Sequence, residues 1–359
     1  MRREKFFFTN LEKSRQYRKL ISSLKLNGQT VTRDDLILKE IAQYYKRLYT
    51  ASSEETDHDT YLNSVNLQHI LSNNEANVCE GLIKESEAKR AIFDMKLNKS
   101  PGSDGLTVEF YRKCWPKIET CLVNSLNESF QKGELSVSQK QGILSLLYKK
   151  SDPENLDNWR PISLLNIDYK FLAHVLAKRL QVILPIIISN DQQGFIKNRF
   201  IGFNIRLIQD VIDFTNLFDT EGILLFLDFK KTFDTVEWSF MFKVLKKFGF
   251  KDSFIRWTRI MYNNITSIVA NNGWLSDPFS ISRGIRQGCP LSALLFVIVA
   301  EILATKIRNS TAIEGIKVAS ENGENYIKIC QLADDTTLFL KYENEVRSSL
   351  TMTSETIQD

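Results

Sequence analysis

Between residues 34 and 49 the positions Leu36, Ile37, Ile41, Tyr44, Tyr45 and Leu48 recur with the 3.6-residue period of an amphipathic helix. A looser version of the same pattern predicts a helix over 10–26. Further helices are expected from about residue 84 to Leu97 and after a cap at Thr107, with Val108, Tyr111 and Trp115 on one face. Others are expected over 168–184, ending before Pro185, and over 239–249 and 252–264. Short apolar runs predict strands at 142–149 and 222–229. Two more, at 266–270 and 277–282, flank the turn Asn271-Asn272-Gly273. Residues 158–163 read as extended chain, because Pro161 disfavours helix at Arg160. A long apolar helix follows Gly288-Cys289-Pro290, with Pro290 near its first position. Residues 326–341 read as strand, Ala333-Asp334-Asp335, strand. The polar, acidic stretch 50–60 reads as a linker.

Composition limits what such a chain can be. Its 359 residues are 43% apolar and 25% charged, a globular balance with ample material for a core. The longest apolar run, Ala293–Ala300, is far short of the roughly 20 residues of a membrane helix. The start, Met-Arg-Arg-Glu-Lys and three Phe, lacks the apolar region of a signal peptide. Five cysteines without a C-x-x-C pair argue against a disulfide scaffold or a zinc module and for reduced thiols in an intracellular protein. Only three histidines are present, so catalysis would rest on carboxylates and bound metal. His58, among acids in the linker, is expected to be solvated, with a metal site as the alternative, and His174 to be an ordinary core or surface residue. The net charge of +4 is small, but residues 1–50 hold 12 Lys/Arg against 5 Asp/Glu and residues 51–100 hold 5 against 9. A basic N-terminal arm suits a nucleic-acid backbone, and equally a solvated helical face.

The chemistry concentrates at Leu332-Ala333-Asp334-Asp335-Thr336. Two carboxylates stand at a tight turn between apolar strands, which would present them from one end of a buried sheet. Uncompensated burial of such acids is costly, and a bound cation removes the cost. Taken alone, an ordinary exposed acidic turn fits as well. Asp228 closes the apolar strand Ile223–Leu227 in the same manner. Three carboxylates from two strand ends are the donor set for magnesium, which takes hard oxygen ligands and keeps waters and substrate phosphates.

Six segments in order carry a resemblance. They are Lys99-Ser-Pro-Gly-Ser-Asp-Gly105, Asn158-Trp-Arg-Pro-Ile-Ser-Leu-Leu-Asn166, Asp191-Gln-Gln-Gly-Phe195, Leu227-Asp-Phe-Lys-Lys-Thr-Phe-Asp234, Arg286-Gln-Gly-Cys-Pro-Leu-Ser292 and Ala333-Asp334-Asp335. On these the chain resembles the reverse transcriptase region of LINE-type non-LTR retrotransposon polyproteins, from about residue 80 onward. More weakly, Phe6–Lys13 resembles that family's linker between endonuclease and polymerase. The wording of the segments fits these elements better than group II intron reverse transcriptases.

The resemblance implies an α+β fold, a right-hand polymerase with fingers and palm. The palm would be an antiparallel sheet with helices packed on one face, and a helical extension would precede the domain. The expected divisions are a basic helical extension and acidic linker over 1–75, fingers with the start of the palm over 76–221, and palm over 222–359. The implied activity is RNA-directed DNA polymerisation: two-metal transfer of a nucleotide from dNTP to a primer 3′-OH on an RNA template. Asp228, Asp334 and Asp335 would be catalytic and would hold Mg²⁺, with Mn²⁺ as a substitute and the Phe229 carbonyl as a further ligand. Lys149, with neighbouring Lys150 as the alternative, and Arg160 would grip the triphosphate. Phe233 would be the steric gate that rejects a 2′-OH, and Asp234 structural. Gln287 would meet the incoming nucleotide; Gly288 and Arg199 would lie along the template. RNA template, DNA primer or target and dNTPs are the implied partners, with no membrane. A ribonucleoprotein of cytoplasm and nucleus is the implied setting.

Two departures stand out. Leu332 replaces the family's usual aromatic before Ala-Asp-Asp, which predicts altered packing with the carboxylates kept. The chain also ends 24 residues after Asp335 and carries no endonuclease ahead of residue 1. The expectation from both is a fragment without thumb or endonuclease. The competing reading is an inactive or repurposed copy that binds RNA.

Overall fold

The structure, a computed structural model, describes residues 20–26, 28–51, 57–320 and 323–358. Residues 1–19 and 27 of the expected N-terminal arm and 52–56 of the expected linker lie outside them. The chain divides into two compact units, each drawn from separated stretches. The first takes residues up to Ala51, Ile83–Leu172 and Ile260–Cys289; the second takes Ser52–Leu82, Ala173–Arg259 and Pro290 onward. Both units are discontinuous in sequence, whereas the expected divisions 1–75, 76–221 and 222–359 are contiguous.

In the first unit a hairpin, β1 (Leu24–Leu26) and β2 (Gln29–Val31), stands where the end of the 10–26 helix was expected. Helix α1 (Asp34–Leu48) buries Ile37, Ile41 and Tyr45, the anticipated face. Helix α2 (Glu85–Asp94) stops short of Leu97, and Arg112 from α3 (Val108–Lys132) takes up the carbonyls of Ile92, Phe93 and Met95. Thr107 does occupy the N-cap position of α3, but makes no side-chain cap hydrogen bond. Strand β3 (Gln141–Tyr148) pairs antiparallel with β4 (Trp159–Leu165) and parallel with β6 (Thr266–Asn271). After the expected turn, β7 (Trp274–Leu275) and β8 (Phe279–Ser280) both return against β6. Two of the sequence segments meet here. The buried Asn166 carboxamide accepts from the Asp104 amide at 3.3 Å and donates to the Ser138 carbonyl at 3.0 Å.

The second unit is built on an antiparallel sheet of order β11-β12-β5, from β5 (Ile223–Leu227), β11 (Ile329–Leu332) and β12 (Asp335–Leu340). Alternation sorts its side chains. Leu225, Ile329, Leu338 and Leu340 pack against Leu303, Ala304 and Ile307 of α8 (Ser292–Asn309). Leu224, Cys330 and Phe339 pack against Leu207, Ile208 and Val211 of α5 (Gly202–Leu217). Helices therefore cover both faces, where one was expected. The run Leu338-Phe339-Leu340, apolar at successive positions, is what a strand buried on both faces requires. A second hairpin, β9 (Ile316–Ser320) and β10 (Gly323–Ile327), adds Ile316 to the α5 side.

Four further long helices are found among the described residues. Helix α4 (Ile167–Ile187) runs through Pro185 instead of ending before it. Proline forfeits one hydrogen bond, and in the final turn the loss is small beside the burial of Ile183, Leu184 and Ile187. Helices α6 (Trp238–Lys247) and α7 (Asp252–Tyr262) match expectation, and α9 (Glu343–Gln358) closes the described chain. Helix α8 begins at Ser292 with Leu291 as its N-cap, so Pro290 lies just outside it. His58 is buried rather than solvated, its Nε2 at 3.2 Å from the Ser239 hydroxyl and its ring against Phe240. Among the described residues no helix is long and apolar enough to cross a membrane.

Candidate active site

The acidic turn forms as its sequence suggests. Leu332 pairs with Asp335, so β11 and β12 are joined by the two residues Ala333 and Asp334. On the other side of β12, Thr336 pairs with Leu227, the last residue of β5. Continuing that register by one position sets Asp228 opposite Asp335. Directly opposed residues of antiparallel strands have Cα atoms about 4.5–5.5 Å apart. Both carboxyl-bearing residues are exposed, at the end of a sheet whose interior is closed by helices. Asp334 is half-buried in the turn. Asp228, Phe229 and Asp334 line one cleft of about 330 Å³, together with Lys230, Gln331 and Phe296.

These acids do not form a closed cage. Among the described residues no group of three or more His, Cys, Asp or Glu side chains is placed to hold a metal ion. The Phe229 carbonyl already accepts from the Thr232 hydroxyl at 3.0 Å, with a second lone pair to spare. The donor chemistry nevertheless fits magnesium, which is held by one or two carboxylates plus water and substrate phosphate rather than by an all-protein cage.

Phe233 sits on the short helix Thr232–Thr235, five residues beyond Asp228. Its ring stacks on Phe296 of α8 with centroids 4.2 Å apart and meets Phe195 edge-on at 6.3 Å. Asp234 beside it is buried, and its amide donates to the Lys231 carbonyl at 2.8 Å. This burial suits the structural role expected of it.

The segment Asp191–Phe195 lies beside β11 like a short extra strand. The Gln193 amide donates to the Gln331 carbonyl at 2.9 Å, and the Gln331 amide donates to the Asp191 carbonyl at 2.8 Å. Asn204 adds a bond to the same Gln331 carbonyl at 2.8 Å. Gln192 reaches the acidic turn itself. Its Oε1 accepts from the Ala333 and Gly194 amides, both at 2.8 Å, and its Nε2 donates to the Ala333 carbonyl at 3.2 Å. Sequence reasoning placed Gln192 in a recognisable segment but gave it no role; no local pattern shows that residues 141 positions apart share two hydrogen bonds. Beneath this, Arg308 bridges Asp191 at 2.7 Å and the buried Glu301. Burial pushes the Glu301 carboxyl up to about 7 against the opposing pull of Arg308, and raises the Asp191 carboxyl as well.

Arg199 is held by its own chain. Its guanidinium donates to the carbonyls of Ile188, Ser189 and Gln192, the first at 2.7 Å and the last at 2.8 Å. Those bonds commit it to the loop after α4.

The remaining candidates gather in the first unit. Arg160 pairs with Leu147 across β3–β4, and the Lys149 amide extends the ladder to the Asn158 carbonyl at 2.9 Å. Lys149 is two residues beyond Leu147, so the exposed Arg160 and Lys149 are diagonal neighbours on one face. Lys150 is exposed too, at the next position and so out of phase with that face. The Ser163 amide of β4 donates to the Gln287 carbonyl at 2.7 Å. Gly288 follows with φ of 104°, and a Cβ there would stand 2.9 Å from the Ser163 carbonyl oxygen. Arg286 anchors this turn from below, bonding the Lys140 and Thr266 carbonyls with its guanidinium over the Tyr169 ring. Lys149, Arg160, Gln287 and Gly288 are thus tied to one pair of strands.

Comparison with known proteins adds the family. The model described as reverse transcriptase (RNA-dependent DNA polymerase) matches residues 148–359. The chain is 34% identical over 296 residues to the Transposon TX1 uncharacterized 149 kDa protein of Xenopus laevis, covering 82% of this chain and 22% of that protein. It is 29% identical over 266 residues to the retrovirus-related Pol polyprotein from type-1 retrotransposable element R2 of Popillia japonica, covering 74% and 35%. To the Pol polyprotein from type-2 retrotransposable element R2DM of Drosophila melanogaster it is 26% identical, covering 68% and 22%. The chain therefore spans between about a fifth and a third of the length of these relatives.

Proposed function

This chain belongs to the reverse transcriptase (RNA-dependent DNA polymerase) family, and from that premise we propose that it carries the polymerase chemistry of a non-LTR retrotransposon. Its substrates are dNTPs, an RNA template and a DNA primer or target, brought together in an intracellular ribonucleoprotein. The observation that carries the reading is the Leu227–Thr336 pairing, which sets Asp228 opposite Asp335 at the end of a buried sheet. The second unit is the palm in this reading, and the β3–β4 sheet of the first belongs to the fingers.

Asp228 and Asp335, with Asp334 and the Phe229 carbonyl, are the residues that would hold Mg²⁺ or Mn²⁺. Bound there, the cation would supply Lewis acidity, which would lower the pKa of a primer hydroxyl and offset charge on the transferring phosphate. The protein's own groups do the rest. Arg160 offers a planar fork to phosphate oxygens, and Lys149 a point charge beside it. Phe233, braced by Phe296, is a flat wall against which a 2′-OH would clash. Gly288 lets the backbone approach a base pair, and Gln287 has a carboxamide able to donate and accept.

Extension of a DNA primer on an RNA template with Mg²⁺ tests the reading, with Asp335→Asn as the control. Extension that is lost in this variant supports it. Salt-sensitive RNA binding with no extension in either protein would instead support an RNA-binding module.

A further inference from the structure

The acidic turn contains a conformational oddity. Ala333 holds φ of 59°, in the left-handed region. A two-residue hairpin loop asks for positive φ at its first central position, and glycine or asparagine normally supplies it. An L-residue with a Cβ is disfavoured there by about 1–2 kcal/mol. Neither local sequence nor the β11–β12 ladder supplies the missing preference, so it must come from tertiary contacts.

We propose that Gln192 is the positioning residue of this turn. Its buried carboxamide holds the Ala333 peptide in the left-handed conformation from which Asp334 and Asp335 are presented. The inference rests on the proposed metal-binding role of those acids. Three hydrogen bonds carry it, two of them to the N–H and C=O of the same residue. A carboxamide both donates and accepts in one fixed plane, as needed to meet the N–H and the C=O of a single residue, which belong to the two peptide units flanking its Cα. Gln192 is itself held, at 1% exposure, by the pairing of its neighbours with Gln331 and by the Arg308–Asp191 ion pair. Gly194 allows the close approach, since a Cβ there would stand 2.4 Å from the Ala333 nitrogen. The clamp therefore joins the Asp191–Phe195 segment to the Ala333-Asp334-Asp335 segment through side-chain and backbone contacts in a single unit.

A positioning role separates from a merely stabilising one when metal affinity and stability are read independently. Mn²⁺ binding to the full chain, followed by the electron paramagnetic resonance of the free ion, gives the first; a thermal melt gives the second. Gln192→Met keeps the length of the side chain and removes all three bonds. It is expected to weaken Mn²⁺ binding about tenfold, as loss of a group that orients metal ligands does. Adding Ala333→Gly relieves the left-handed strain, so the double variant regains melting temperature. A glycine turn without the clamp is free to leave the presenting geometry, so its Mn²⁺ affinity is expected to stay at least about fivefold below that of the parent. The double variant also serves if Gln192→Met alone fails to fold. Recovery of metal affinity together with stability, or affinity within twofold of the parent in the folded Gln192 variants, overturns the proposal. Asp228→Asn and Asp335→Asn measured alongside keep the premise separate. If neither weakens Mn²⁺ binding, the metal-site reading fails and takes the positioning role with it. If both do and the Gln192 variants do not, the positioning role alone is wrong.

Discussion

A Cβ placed on Gly102 would stand 2.1 Å from Oδ1 of Asn166 and 2.4 Å from its amide nitrogen. The loop 99–105 and the end of β4 are thus fitted backbone to side chain, through a residue buried to 1% exposure. Gly102→Ala is expected to force these apart and to cost about 1–3 kcal/mol, the usual range for an overpacked site. A urea titration measures this directly. A midpoint unchanged from the parent would mean that the loop can be displaced without loss.

Asp335 is exposed and lies at the end of β12, so its role can be separated from folding. Asp335→Asn keeps the shape and removes the charge. Primer extension is expected to fall more than about 100-fold, a barrier increase of about 2.7 kcal/mol. The melting temperature should stay within a degree or two of the parent (roughly ±0.5 kcal/mol for a surface change). Extension at parental rates would remove Asp335 from the proposed machinery.

Phe233 is braced by Phe296 at 4.2 Å, so its ring has little freedom to swing aside. Phe233→Val opens the space beneath a nucleotide sugar. The ratio of dNTP to NTP incorporation, measured under single-turnover conditions, is expected to drop by about tenfold or more, which corresponds to about 1.4 kcal/mol of discrimination. Should the ratio hold, Phe233 is a packing residue and sugar selection lies elsewhere.

Glu301 predicts a pH dependence. Burial raises its carboxyl from 4.5 to about 7 in the folded protein. The folded form then binds the proton more tightly than the unfolded chain does. Stability from this group is fully present below the unfolded value and is lost as pH rises through about 7. Denaturant midpoints are therefore expected to decline between pH 5 and 8 in the parent, and to decline less in Glu301→Gln. The glutamine keeps an acceptor for Arg308 and for the Ser189 amide, which bond Glu301 Oε1 in the parent. Parallel curves for the two proteins would show that Arg308 alone holds Glu301 ionised throughout.

Much of the site was legible before any folding. Asp228 closes a run of five apolar residues, and Asp334-Asp335 interrupts two others; this pattern is local, and the strands and turn formed where it placed them. Phe233, five residues beyond Asp228, was a candidate only through the resemblance that the same segment carries. Helix α1 buries the side chains its period selects, since that choice depends on spacing alone.

Other features had no local signal. His58 is buried because α6 brings Ser239 and Phe240 to it. Arg199 is taken up by three carbonyls that only the fold gathers. Helix α4 runs through Pro185 because packing outweighs one lost hydrogen bond. The sheet is covered on both faces, a fact present in Leu338-Phe339-Leu340 but not readable from it without knowing what lies on each side.

By itself, then, the order of residues determined where elements such as α1, β3, β5 and the acidic turn form, where three carboxylates stand along the chain, and the family to which the chain belongs. Those properties depend on periodicity and on neighbours within a few positions. Tertiary structure alone decided that Asp228 stands opposite Asp335, that Gln192 grips the peptide of Ala333, and that Asn166 leaves no room for a side chain at residue 102. Each is a contact between residues scores of positions apart. Such contacts arise when apolar faces bury one another, and no single segment contains the partner that it will meet.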